Sequence, residues 1–129
     1  MADTRLRSPL GRVMGLGSAK EGVAHWWAQR LTAVALIPLL LWFVIEVIGL
    51  TGAPRAAVLA WLRTPFAAIT TVLMLIAVFY HMALGVQVVV EDYVHSEWSK
   101  ITLLVLNKFV AFALGAAGVF AVLRIAFQG

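Results

Sequence analysis

Charge-poor runs divide this chain into three long apolar segments joined by short polar ones. The first runs roughly from Leu31 to Leu50 and is interrupted only by Glu46. The second, Phe66 to Val90, holds no Asp, Glu, Lys or Arg. The third, about Ile101 to Phe127, has Lys108 near its start and Arg124 near its end. A hydrocarbon core of about 30 Å takes roughly 20 helical residues at ~1.5 Å each, so every segment is long enough to cross it. Inside a bilayer each segment must satisfy its own backbone hydrogen bonds, which leaves helices as the spanning form. The pattern predicts an all-α membrane protein of three transmembrane helices, at about 26–50, 66–90 and 101–127. These make one membrane-anchor domain over residues 1–129, preceded by an N-terminal segment 1–25.

Composition agrees. The chain is 63% hydrophobic and 12% charged over 129 residues, with mean hydropathy +0.97. A soluble domain of this size has too little interior to bury so much apolar surface. A soluble catalytic domain would therefore sit on another chain.

The net charge of +4 matters less than its placement. Arg5, Arg7, Arg12, Lys20 and Arg30 all come before the first apolar run, a bias that orients membrane helices rather than a nucleic-acid patch. It predicts a cytoplasmic N-terminus, a first loop (Thr51 to about Pro65) outside, a second loop (Glu91 to Lys100) inside, and a periplasmic C-terminus. Trp26, Trp27, Trp61 and Trp98 stand where interfacial aromatics belong. The first 24 residues lack the apolar core of a cleavable signal. There is no cysteine, which excludes disulfides, thiolate nucleophiles and iron–sulfur clusters ligated by this chain. Pro38 is a candidate kink. Ala111 and Gly115 give a small-residue spacing that admits another helix or simply reflects membrane composition.

His81 is the exception to the apolar pattern. It precedes Val90 by nine residues, about 13 Å of helix, and so lies near the middle of the membrane. An ionisable side chain at that depth points to ligation or proton relay before mere packing, and histidine is the commonest nitrogen ligand for metals and haem iron. Ala77 and Gly85 flank it at four-residue spacing and lower the face beside it; a flat macrocycle or an ordinary helix contact fits there equally. His25 and His95 fall outside the spans, so a six-coordinate haem would need its second axial ligand from another protein chain.

Other polar groups gather at the cytoplasmic mouth. Asp92 follows His81 by eleven residues, about three turns, and returns to the same face if the helix continues. Tyr93, next to it, places a phenol where it can donate to a carbonyl oxygen such as that of a quinone head group. Position alone favours a belt aromatic and a solvated charge. Arg30 can pair with a haem propionate or a lipid phosphate, or serve as a positive-inside anchor. His25 lies close by. Glu46 reaches toward the opposite interface or pairs with Arg55 or Arg63.

Two stretches carry a resemblance. Gly22-Val23-Ala24-His25-Trp26-Trp27-Ala28-Gln29-Arg30-Leu31-Thr32-Ala33 and His81-Met82-Ala83-Leu84-Gly85-Val86-Gln87-Val88-Val89-Val90-Glu91-Asp92-Tyr93-Val94 resemble the hydrophobic membrane-anchor family of succinate dehydrogenase, respiratory complex II, of bacterial type. The enzyme's companion three-span membrane protein has a different segment on its first span, which this chain lacks. The resemblance implies that His81 is one axial ligand of a haem b shared with that companion, which binds the iron from the other side. It further implies that Tyr93 hydrogen-bonds ubiquinone, that Asp92 supports that site, and that Arg30 and His25 lie near the haem propionates. It implies partners as well: the companion membrane protein, an iron–sulfur protein and a flavoprotein holding the FAD, in the bacterial inner membrane. The chain would then anchor an enzyme that passes electrons from succinate to ubiquinone in the tricarboxylic acid cycle and respiratory chain, without a complete active site of its own. A proton-coupled transporter using Glu46 and His81, or an anchor whose histidine only packs, are the competing readings.

Overall fold

The computed structural model describes residues 9–13 and 21–128. Arg5, Arg7 and Lys20, central to the basic N-terminal bias, lie outside the described residues, as does the side chain of Arg12. Five helices follow in order: α1 (Pro9–Val13), α2 (Glu21–Gly49), α3 (Arg55–Leu62), α4 (Pro65–Tyr93) and α5 (Glu97–Phe127). Of these, α2, α4 and α5 are long and apolar enough to cross a membrane. The expected three spans are there, each extended by several residues of polar or interfacial sequence.

The chain runs up, down and up. One end of the molecule therefore collects the start of α2, the end of α4 and the start of α5; the other collects α3 and the end of α5. Helix α4 is the centre. It packs against α2 on one side and α5 on the other, while α2 and α5 share no contact among the described residues. The result is a layer rather than a closed bundle. That explains why the buried set is short (Leu36, Ala67, Ala68, Thr71, Met74, Leu84, Val90, Ala111 and Val122) and why six of its nine members belong to α4. Ile37, Ile48, Phe109, Phe112 and Phe120 are turned outward, as suits a chain whose solvent is lipid.

The α4–α5 seam is made by small residues meeting large ones. A Cβ on Gly115 would sit 3.4 Å from Phe79, and one on Gly118 would sit 3.3 Å from Leu75. The small-residue spacing of the third span is thus used within this chain, against α4. Asn107 adds a polar tie, donating from Nδ2 to the Ala83 carbonyl at 2.8 Å.

Two connections differ from the sequence expectation. The first contains α3, an eight-residue helix. It is bounded by the turn at Gly52 (φ +78°), a left-handed conformation that glycine adopts without steric cost, and by Thr64, whose hydroxyl caps α4 by accepting from the Ala67 amide ahead of Pro65 at the first helical position. The second connection shrinks to Val94–Ser96, because Glu91, Asp92 and Tyr93 finish α4 and Glu97 begins α5. Helix α2 continues through Pro38 without interruption.

Glu46 also differs. It pairs with neither arginine; instead Trp61 of α3 donates from its indole nitrogen to Oε2 at 2.7 Å. Trp61 is held there by stacking on Trp42 (centroids 6.0 Å apart), which meets Phe66 edge-on at 5.7 Å. A neutral donor satisfies the half-buried carboxylate without drawing a guanidinium out of its hydration.

Candidate functional site

The α2–α4 seam joins side chain to side chain through polar groups, whereas the α4–α5 seam is mostly apolar, with Asn107 as its polar tie. On α2, His25, Gln29 and Thr32 fall at intervals of four and three residues, which stacks them on one helix face. On α4 the opposing positions are His81 and Gly85. The Thr32 hydroxyl oxygen lies 2.9 Å from His81 Nδ1. The same oxygen lies 2.7 Å from the Ala28 carbonyl and 3.1 Å from that of Gln29.

These three distances assign the imidazole. A hydroxyl has one hydrogen, and the backbone carbonyls of its own helix claim it; back-bonding of this kind is usual for threonine in an apolar helix. Oγ1 then has only lone pairs for the ring, so Nδ1 carries the proton and donates to Thr32. The other ring nitrogen, Nε2, is left unprotonated with its lone pair available. A ligating histidine is typically fixed by just such a hydrogen bond at the second nitrogen.

One turn further along, Gly85 makes room for Gln29, whose amide nitrogen would lie 3.6 Å from a Cβ there. The lowered face beside His81 is therefore occupied on this side by α2. Gln29 Oε1 and His25 Nε2 are both buried without a hydrogen-bond partner. Buried polar atoms are normally satisfied, so two orphans on one stripe mark a place where something polar is still to be bound.

The remaining expected residues stand apart from this pocket. Helix α4 does continue to Tyr93, so Asp92 lies three turns from His81 on the same face, about 16 Å along the axis. Tyr93 is 77% exposed at the helix end, and Asp92 is exposed beside it. Nearby, Gln87 donates to Glu91 at 2.8 Å. Arg30 is exposed and lies over the Trp26 ring, 4.4 Å from its centroid, on a different face from Gln29 and Thr32. Among the described residues no three His, Cys, Asp or Glu side chains gather as a metal site, so His81 is a single donor. Thr32 and Gln29 carry no sequence flag of their own; the stripe His25–Gln29–Thr32 on an apolar helix is the signal that points to them.

Fold and site together define a small helical membrane anchor with one oriented imidazole inside it. The chain matches the family model for the succinate dehydrogenase/fumarate reductase transmembrane subunit over residues 4–115. It is 33% identical over 120 residues to the succinate dehydrogenase hydrophobic membrane anchor subunit of Paracoccus denitrificans, covering 93% of this chain and 92% of that one. The corresponding protein of Rickettsia bellii is 31% identical over 102 residues (79% and 82% covered). The succinate dehydrogenase membrane anchor subunit of Reclinomonas americana is 33% identical over 101 residues (71% and 79%). No solved structure matches. The chain belongs to this family, among the hydrophobic membrane anchor subunits of succinate dehydrogenase.

Proposed function

We propose that this chain is one half of a haem- and quinone-binding membrane anchor, seated in a bacterial inner membrane with its N-terminus cytoplasmic and its C-terminus periplasmic. Its partners are the companion three-span membrane protein, the iron–sulfur protein and the flavoprotein, which together pass electrons from succinate to ubiquinone.

The observation that carries the reading is the Thr32–His81 hydrogen bond. It holds the ring in one tautomer and leaves the Nε2 lone pair free, so His81 would hold the iron of a b-type haem together with a residue of the companion membrane protein. When bound, the haem accepts and returns single electrons. Thr32 orients the ring and favours the tautomer with the hydrogen on Nδ1. The unsatisfied His25 Nε2 and Gln29 Oε1 lie on the same stripe. His25 and, from the neighbouring face, Arg30 are available to propionates. At the mouth, the Tyr93 phenol donates to a ubiquinone carbonyl, and Asp92 beside it can take up and pass on a proton as the ring is reduced.

A reduced-minus-oxidised optical spectrum of the purified complex tests the ligation. His81→Ala is expected to abolish the b-type signal while the complex remains assembled; an unchanged spectrum overturns it. For the mouth, Tyr93→Phe is expected to lower ubiquinone reductase activity and spare succinate oxidation by an artificial acceptor. Equal loss of both would assign Tyr93 to assembly instead. The relay reading fares less well, because Glu46 is bonded to Trp61 at the α3 end and His81 to Thr32 in the other seam.

A further inference from the structure

The α3 end of the molecule has a cleft of its own, about 560 Å³, lined by Arg55 and Arg63 of α3 and its C-cap and by Arg124 of α5, with Leu59, Phe120 and Ile125 as its apolar wall. Three arginines line it. The one acidic side chain at this end, Glu46, is already engaged by Trp61. The other five carboxylate side chains, at positions 3, 21, 91, 92 and 97, belong to the opposite side of the layer or to the N-terminal segment. Among the described residues the cleft is therefore a concentration of positive charge without a counter-charge from a neighbouring side chain.

Its position gives it a second property. Arg55 and Arg63 bracket α3, the short helix that joins two apolar spans, Arg124 stands near the end of the third span, and each is open to solvent at least in part. The cleft thus joins a cationic rim to an apolar wall at the level where a bilayer changes from head group to acyl chain. The rim matches the planar, multidentate recognition of phosphate by arginine. The wall matches the first methylenes of an acyl chain. Helix α3 is what brings the rim together. It carries two of the three arginines across to α5, and the Trp61–Glu46 bond with the Trp42 stack ties it in place.

We propose that this cleft binds the phosphate of an anionic phospholipid, which bridges α3 to the end of α5. Bound there, the lipid neutralises the three guanidiniums and fastens the first connection to the third span.

The test uses the intact membrane complex, delipidated in a neutral detergent and then given phosphatidylglycerol, phosphatidylcholine or inorganic phosphate, with retained lipid counted by native mass spectrometry. The expected result is retention of phosphatidylglycerol over phosphatidylcholine, weakened about fivefold for each arginine changed in Arg55→Gln, Arg63→Gln and Arg124→Gln. Equal retention by the wild type and the triple variant overturns the proposal. Displacement of phosphatidylglycerol by inorganic phosphate at equal concentration also overturns it, since the site would then take free phosphate. Should the triple variant not assemble, the wild type alone decides. Raising salt from about 0.1 M to 1 M, which shortens the screening length from ~10 to ~3 Å, is expected to release the lipid, and lipid that stays bound through that change refutes a guanidinium–phosphate site.

Discussion

Helix α4 has two flanks, and they are made of different materials. Toward α5 it presents Leu75 and Phe79 to Gly118 and Gly115, and at those two positions the helices meet in van der Waals contact. Toward α2 it presents His81 and Gly85 to Thr32 and Gln29, and two buried polar atoms on that stripe stay unsatisfied. Lipid does not drive apolar faces together, so membrane helices associate through close packing of small residues or through polar bonds. This chain relies mainly on the first device between α4 and α5, with Asn107 adding one polar bond, and on the second where α2 holds an imidazole in place.

The contrast can be broken from either side. The largest effect is expected from Gly118→Leu. Its added carbons enter a space already 3.3 Å from Leu75, at a cost of about 1–3 kcal/mol for overpacking. Thermal unfolding and the yield of assembled complex should fall, while the haem spectrum per assembled complex stays as in the wild type. A spectrum that changes with Gly118→Leu would show that the two seams are not independent.

Thr32→Val comes next. It keeps the shape and removes the acceptor of the Nδ1 proton, leaving a half-buried donor unpaired at a cost of about 1 kcal/mol. The haem signal should shift or weaken, and Thr32→Ser should restore it, because serine keeps the oxygen. Loss of stability in both variants with the spectrum untouched would make Thr32 a packing residue only.

The smallest effect is expected from Gln29→Leu. It removes an unsatisfied amide oxygen from the seam, so stability in denaturant should hold or rise slightly while binding of the polar group that completes the pocket weakens. A marked loss of stability would mean that Gln29 is already satisfied within the chain.

The three spans were legible because length and absence of charge suffice to define a membrane helix. So was His81, since a lone imidazole in a charge-free run has no competitor. Helix α3 was not: eight residues between a turn and a proline carry too few turns for an apolar period to stand out, and its order comes from Trp61 docking on Trp42 and Glu46. Thr32 stayed hidden for another reason. Threonine is unremarkable in an apolar helix, and its partner lies 49 residues away; only the register of α2 on α4 brings them together. The glycines of α5 were visible as small residues, but sequence could not say whether their partner was this chain or another.

The three-residue link Val94–Ser96 has a mechanical consequence. It is too short to let α4 and α5 slide past one another, and the glycine contacts lock them further, so these two helices move as one lever. Any shear inside the chain must then occur between that lever and α2, across the seam where one hydrogen bond holds the imidazole. A neighbouring protein or lipid that pushes on α2 therefore reaches the imidazole directly through the Thr32 hydroxyl, and reaches α3 through the Glu46–Trp61 bond.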